Sequence, residues 1–285
     1  MRRWPALVAH LARSGAAAAL LGTWLAASPA AAQSFGGQSG SDEPLEINAD
    51  EGIEWRRDTN QYIARGNARA AQGDMEVFAD VLTAFYRPNQ NGDNEIYQIH
   101  ADGNVRVVTP KERVFAERGR YDVDKGVMVM TGNNLRMEAG PDVITARDTL
   151  EYWEKRKIAV ARGDAVATRE DKRLRADLLT AYLTEGAEGD LEIERVDADG
   201  NVEVSSPTEF VRGNKAIYYV KKEFATLNGN VRVTQGENQM NGEYAEVDLA
   251  SGVSRLLSAA PGSRERDRVR GLIIPQRKPD AGSGS

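Results

Sequence analysis

The sequence predicts an all-β protein built twice over from one 97-residue unit, and three observations carry that prediction. The first is a short pattern around a Gly-Asn or Gly-Asp pair that recurs six times. Its copies are ARGNARA from Ala64, ADGNVRV from Ala101, MTGNNLRM from Met130, ARGDAVA from Ala161, ADGNVEV from Ala198 and LNGNVRV from Leu227. The second is their spacing: Gly66, Gly103, Gly132, Gly163, Gly200 and Gly229 stand 37, 29, 31, 37 and 29 residues apart, a series that starts again. A shift of 97 lays Pro44 to Asn133 on Pro141 to Asn230 without a gap, with 33 of 90 positions identical. The third is the alternation of apolar and polar residues, as in Val105-Arg106-Val107, Val202-Glu203-Val204 and Val231-Arg232-Val233, which puts the valines on one face of a strand. A repeat on this scale dictates architecture ahead of any local signal.

Taken in order, Met1 to Ala32 holds Arg2, Arg3 and Arg13, an apolar run from Gly15 to Ala27 and then Ala30-Ala31-Ala32. That is the pattern of a cleavable secretory signal peptide cut before Gln33. The apolar run is shorter than the ~20 residues of a membrane span, which speaks against the alternative of an N-terminal anchor. Residues 33–43 are rich in Gly, Ser and Gln and read as a flexible leader. Repeat 1 then covers residues 44–140 and repeat 2 residues 141–237; residues 238–275 form a partial repeat with closing strands, and 276–285 a disordered tail.

Within repeat 1 the alternation predicts strands over Gln61 to Ala70, Met75 to Arg87, Glu95 to Val108, Arg113 to Val123 and Val127 to Met137. The next run, Val143 to Trp153, opens repeat 2, and a last strand is expected at Val269 to Ile274. Turn signals such as Pro88-Asn89-Gln90-Asn91-Gly92-Asp93, Asp124-Lys125-Gly126 and Thr184-Glu185-Gly186 fall between runs. No window beyond the signal segment carries a helical apolar stripe. A Gly-Asn inside each strand marks a bulge or bend at one height, which curves successive strands together. Unequal steps recurring as a block favour the hairpins of a jelly roll over stacked coils.

Composition narrows the chemistry. The full chain has a net charge of −6, and loss of the signal segment, with three arginines and no acid, takes it to −9. A chain so charged is a poor partner for nucleic acid. With no cysteine, the exported protein is held by burial and hydrogen-bonded ladders alone. His10 leaves with the signal, so His100 is the one mature histidine, and neither a serine triad of the usual kind nor a thiol nucleophile can be built. Asp80 with Asp177, or Asp102 with Asp199, offers paired carboxylates, but each stands at a repeated position beside a Gly or strand end, where Asp bonds to nearby backbone. No catalytic residue, metal site or cofactor is expected. Eleven residues before four of the glycines stand Trp55, Tyr121, Tyr152 and Tyr218, two pairs 97 apart. They predict a stripe of rings on one face, either packed between sheets or lining a groove mouth, where a tyrosine hydroxyl suits the wet margin.

Several of these stretches together resemble the OstA-like domain family: Pro44-Leu45-Glu46-Ile47-Asn48-Ala49-Asp50, the repeated GNV-x-V, Ala-Asp-x-Leu at Ala79 and Ala176, and Val269-Arg270-Gly271-Leu272-Ile273-Ile274-Pro275. The likeness runs from about Pro44 to Pro275. The resemblance implies a curled, taco-like antiparallel β-jelly roll whose open interior carries the lipid A chains of lipopolysaccharide from inner to outer membrane through the periplasm. Physics agrees, because an acyl chain in water costs about 0.8 kcal/mol per CH2 and needs shielding. The inward, lipid-facing set read from parity is Leu45, Ile47, Leu82, Val105, Val107, Tyr121, Leu135, Met137, Leu179, Val202, Val204, Tyr218, Val231 and Val233. The resemblance also implies partners joined through edge strands at the Leu45 and Leu272 ends. These are inner-membrane LptC-like and outer-membrane LptD-like OstA domains, and further copies of the chain head to tail. Two other classes stand beside this reading: a repeat-built structural or adhesive β-solenoid, and a β-helical carbohydrate-cleaving enzyme, which needs a carboxylate cluster that the sequence does not show.

Overall fold

Gly-Asn pairs set the shape of the molecule. The computed structural model describes residues 45–90, 92–186, 191–248, 250–251, 253–263 and 268–274. The expected signal peptide, leader and tail lie outside these residues. What is described forms one antiparallel sheet of eighteen strands. In chain order they are β1 Glu46–Asn48, β2 Gly52–Arg56, β3 Gln61–Gln72, β4 Met75–Pro88, β5 Asn94–Val108, β6 Glu112–Asp122, β7 Val127–Thr131, β8 Leu135–Ala139 and β9 Asp142–Ala146. They continue as β10 Thr149–Trp153, β11 Ile158–Arg169, β12 Lys172–Glu185, β13 Leu191–Ser205, β14 Glu209–Tyr219, β15 Phe224–Gln235, β16 Asn238–Asp248, β17 Val253–Leu257 and β18 Arg270–Leu272. A single 3-10 turn, Glu154–Arg156, follows β10.

Long strands β3 to β6 and β11 to β16 pair consecutively as hairpins. The remaining strands come as short pairs that share one long neighbour. β1 and β2 both lie on β3, β7 and β8 on β6, β9 and β10 on β11, and β17 and β18 on β16. In the middle, β7 pairs β10 and β8 pairs β9, so the two copies fuse into one uninterrupted sheet. The expected single strands at Val127 to Met137 and Val143 to Trp153 are therefore each broken in two. Gly132 at φ +118° and Asn134 at φ +61° turn the first. In the second, the N–H groups of Arg147 and Asp148 donate to the Gly163 and Arg162 carbonyls at 2.7 and 3.0 Å. Alternation continues across the second break, from Ile144 to Tyr152, but slips by one residue across the first, where Met128 and Met137 both face inward.

All these breaks fall on one line with the bulges of the long strands. On β5, Gly103 (φ +78°) and Asn104 (φ +47°) are both left-handed. The pairing with β6 steps from Asp102↔Arg118 to Val105↔Ala116, two residues against one. Register steps of the same kind follow Arg65 on β3, Arg162 on β11, Asp199 on β13 and Asn228 on β15. An extra residue bends its strand and sharpens the twist; stacked strand after strand, the bulges crease the sheet so that both halves turn the same face inward. Side chains of the neighbouring strands clamp the crease from outside. Asn67 Nδ2 donates to Asp50 at 2.8 Å, Asn104 Nδ2 to Asp80 at 3.0 Å, Asn133 Nδ2 to Glu117 at 2.9 Å and Asn201 Nδ2 to Asp177 at 2.8 Å. Inside the crease stand small residues, Ala68, Ala165, Ala176 and Ala198, all but sealed from solvent.

Candidate functional site

The inner face of the creased sheet resolves into two rows of register partners. One half carries Ile47, Ala70, Val77, Val107, Val114, Met137, Ile144, Ala167, Leu174, Val204, Val211, Val233, Met240 and Gly271, each opposite the next from β1 to β18. No polar side chain interrupts this row across the whole sheet. The other half carries Trp55, Tyr62, Ala84, Ile99, Tyr121, Met128, Tyr152, Ala159, Ala181, Val196, Tyr218, Ala225, Val247 and Ser254 from β2 to β17. The four rings singled out by spacing thus fall in one row. Tyr121 and Tyr218 are buried and Tyr152 is half-buried, whereas Trp55 lies on the open edge strand and is half exposed.

Of the fourteen residues assigned inward by parity, ten are buried: Leu82, Val105, Val107, Tyr121, Leu135, Leu179, Val202, Val204, Tyr218 and Val231. Leu45, Ile47, Met137 and Val233 are half-buried and pack against the core clusters. Their neighbours Arg106 and Glu203 point the other way. Arg106 lies over the Phe78 ring at 4.3 Å, and Glu203 pairs with Arg212 at 2.9 Å. Parity misses the crease alanines, which no alternation distinguishes from filler, and it misses Glu112 and Glu209. Pro110 with Glu112 and Pro207 with Glu209 occupy equivalent places in the two copies, and that recurrence was a signal available in the sequence.

An apolar cavity of about 100 Å³ lies between the halves at the C-terminal end, lined by Val204, Val211, Leu227, Val233, Met240, Val247 and Leu256 with Glu209 among them. Polar tips gather at the lips. Tyr121 donates its hydroxyl to Glu154 at 3.0 Å; burial first, then the Glu154 charge, raises its pKa. Burial likewise pushes Tyr152 up to about 12, and the charges that add to this are Glu154 and Glu112. Glu112 and Glu209 are themselves pushed up to about 7 by burial; the Lys111 charge acts the other way on Glu112. Arg169, also buried on the inner side, is held by Asp142 at 2.6 Å.

The carboxylates weighed as acid and base are otherwise occupied. Asp80 and Asp177 clamp the crease, Asp102 accepts from Arg120 at 2.7 Å, and Asp199 pairs with Lys215 at 2.7 Å. His100 packs on Phe85 with ring centroids 4.6 Å apart, and burial, then Arg120, lowers its pKa. Among the described residues no cluster of His, Asp and Glu is placed to hold a metal ion, and no helix is long and apolar enough to cross a membrane. Large exposed apolar residues concentrate at the two ends of the sheet: Ile53 and Trp55 on β2, and Val253, Val269, Leu272, Ile273 and Ile274 about β17 and β18.

A single antiparallel sheet, creased along a line of bulges and carrying an apolar row inside from one free edge to the other, defines the class of curled, taco-shaped OstA-like jelly rolls. The chain belongs to the LptA/(LptD N-terminal domain) LPS transport protein family, whose sequence profile matches residues 46–148 and again 143–253. That is a family of transport proteins and not of enzymes. A similar solved structure is LptH, the LptA-homologous periplasmic component of the conserved lipopolysaccharide transport device from Pseudomonas aeruginosa. It is 23% identical, with a TM-score of 0.41, over 47% of this chain and 96% of that one. No protein of curated function matches the sequence.

Proposed function

We propose that this protein is a periplasmic carrier that shelters the lipid A chains of lipopolysaccharide on their way from inner to outer membrane. The observation that supports this best is the unbroken apolar row from Ile47 on β1 to Met240 on β16. A row of that kind lets a chain slide from one copy of the unit into the next without meeting a polar barrier. The two ends of the sheet support the rest of the reading. Free edges present unpaired backbone groups and invite another strand, and here both also expose apolar side chains. The β1/β2 edge and the β17/β18 edge take up OstA-like domains of an inner-membrane LptC-like and an outer-membrane LptD-like partner, or further copies head to tail. The signal peptide at residues 1–32 delivers the chain to the periplasm, and the working units are residues 44–140 and 141–237 with 238–275 closing the second edge. A chain of charge −9 offers the anionic head group no general attraction, so the head group stays outside and apolar burial holds the chains loosely enough for hand-over.

Purified protein mixed with lipopolysaccharide and separated by size tests the carrier reading. Lipid is expected to co-elute with the wild type, and to do so at least about fivefold less with Val233→Glu, which puts a charge on the apolar row. A folded wild-type protein that retains no lipid contradicts the proposal.

A further inference from the structure

Glu112 and Glu209 stand one step beyond the apolar row, at the lip of the trough, in the first and second copies. Each closes a proline turn, Thr109-Pro110-Lys111 or Ser206-Pro207-Thr208. Its own N–H donates back to the turn hydroxyl, at 3.0 Å to Thr109 Oγ1 and 3.2 Å to Ser206 Oγ. The turn fixes the backbone, and alternation through Val114 and Val211 aims each side chain inward. Glu209 is only 7% exposed. One oxygen of each carboxyl, Glu112 Oε1 and Glu209 Oε2, is buried without a hydrogen-bond partner among the described residues.

Such a group destabilises the fold unless something pairs with it. Beside Glu209 lies a space that a ligand can enter. Glu209 lines the apolar cavity, with Ser206, Ser254 and Arg255 at the rim. Glu112 is close enough to Tyr152 on the other half of the sheet for its charge to act on that ring hydroxyl. A carboxyl in apolar surroundings is complementary to a group that both donates and accepts. A hydroxyl or an amide does so, and a bare hydrocarbon does not.

We propose that Glu112 and Glu209 are polar contact points inside the trough, each pairing its carboxyl with a hydroxyl or amide group borne on an otherwise apolar acyl chain. This rests on the carrier reading above and adds selectivity to it: a plain chain leaves the carboxyl unpaired, whereas a substituted chain satisfies it. It also places the substituted end of the chain at the lip and the hydrocarbon along the row.

The test is displacement of an environment-sensitive apolar dye from the full chain. Two competitors of equal length are compared, a long-chain β-hydroxyacyl amide and the corresponding alkane, with lipopolysaccharide run beside them. The wild type is expected to prefer the hydroxyacyl amide by roughly fivefold or more, the worth of one or two hydrogen bonds. Glu112→Leu/Glu209→Leu is expected to bind both chains alike, with a circular dichroism spectrum matching the wild type. Glu112→Gln/Glu209→Gln keeps a hydrogen-bonding group and is expected to retain part of the preference. Loss of affinity for lipopolysaccharide in the leucine variant assigns the contact to chains of a larger lipid, and loss for the free amide alone assigns it to a free chain. An equal preference in wild type and leucine variant overturns the proposal while leaving the carrier intact. If neither chain displaces the dye from the wild type, the carrier reading falls and this one with it.

Discussion

Gly103 shows how one residue holds the crease. A Cβ built there meets Asp80 Oδ2 at 2.1 Å and Asp80 Cβ at 2.9 Å, and φ is +78°. Gly103→Ala is therefore expected to lower stability by about 2–3 kcal/mol in urea denaturation, combining backbone strain with loss of the Asp80–Asn104 clamp. Gly140→Ala is the control: φ is +56° but nothing lies within 4 Å, so only the backbone penalty of about 1 kcal/mol applies. Glu112 and Glu209 give a second expectation at this scale. Each has a folded-state pKa raised to about 7 from 4.5, so the folded protein holds these protons more tightly than the unfolded chain. Their contribution is fully present below pH 4.5 and is lost as pH rises through 7. Glu112→Gln/Glu209→Gln is expected to flatten that fall and to be more stable than the wild type at pH 8, by on the order of 2 kcal/mol. Urea midpoints of both proteins at pH 5 and pH 8 check it.

Elements were legible from the sequence where turn residues bounded a long alternating run, and less so where a break of two or three residues interrupted one. The long strands β3 to β6 fall within a residue or two of the expected runs, because valine, alanine and tyrosine alternate with charge along them. β7 and β8, and β9 and β10, each read as a single strand because Gly132-Asn133-Asn134 and Arg147-Asp148 are interruptions of only two or three residues; the inward–outward alternation carries on across the second and slips by one residue across the first. The six glycines did announce the bulge line, but not that Asp80, Glu117 and Asp177 clamp it from outside; that follows only once neighbouring strands are set in register. The closing strand β18 is shorter than the run at Val269 to Ile274 suggested, and its large side chains remain exposed. Unpaired backbone groups on a free edge of this kind invite a further strand. Ile53→Lys and Leu272→Lys, one at each end of the sheet, are expected to reduce self-association at least about tenfold in sedimentation equilibrium. They lie on exposed positions, so thermal stability should stay within about 0.5 kcal/mol of the wild type. Association unchanged by both substitutions contradicts strand pairing at these ends.

At the scale of the whole molecule, duplication turns a short trough into a long one. β7 pairing β10 and β8 pairing β9 join the copies so that the row through Val107 in the first continues through Val204 in the second. The inner face was legible as a set of valines, leucines and tyrosines, ten of the fourteen residues assigned by parity being buried. Its polar lip was not, because a glutamate in an alternating run reads as solvent-facing until the turn that precedes it is placed. One apolar trough running through both copies is expected to hold the acyl chains. The most direct measurement is photo-crosslinking in cells, with the probe at Val107, Val204 and Tyr218 inside and at Arg106 and Glu203 outside. Lipopolysaccharide adducts are expected at all three inner positions and at neither outer one. A folded protein that crosslinks no lipid from Val107, Val204 or Tyr218 would contradict that expectation and favour a structural role for the repeats.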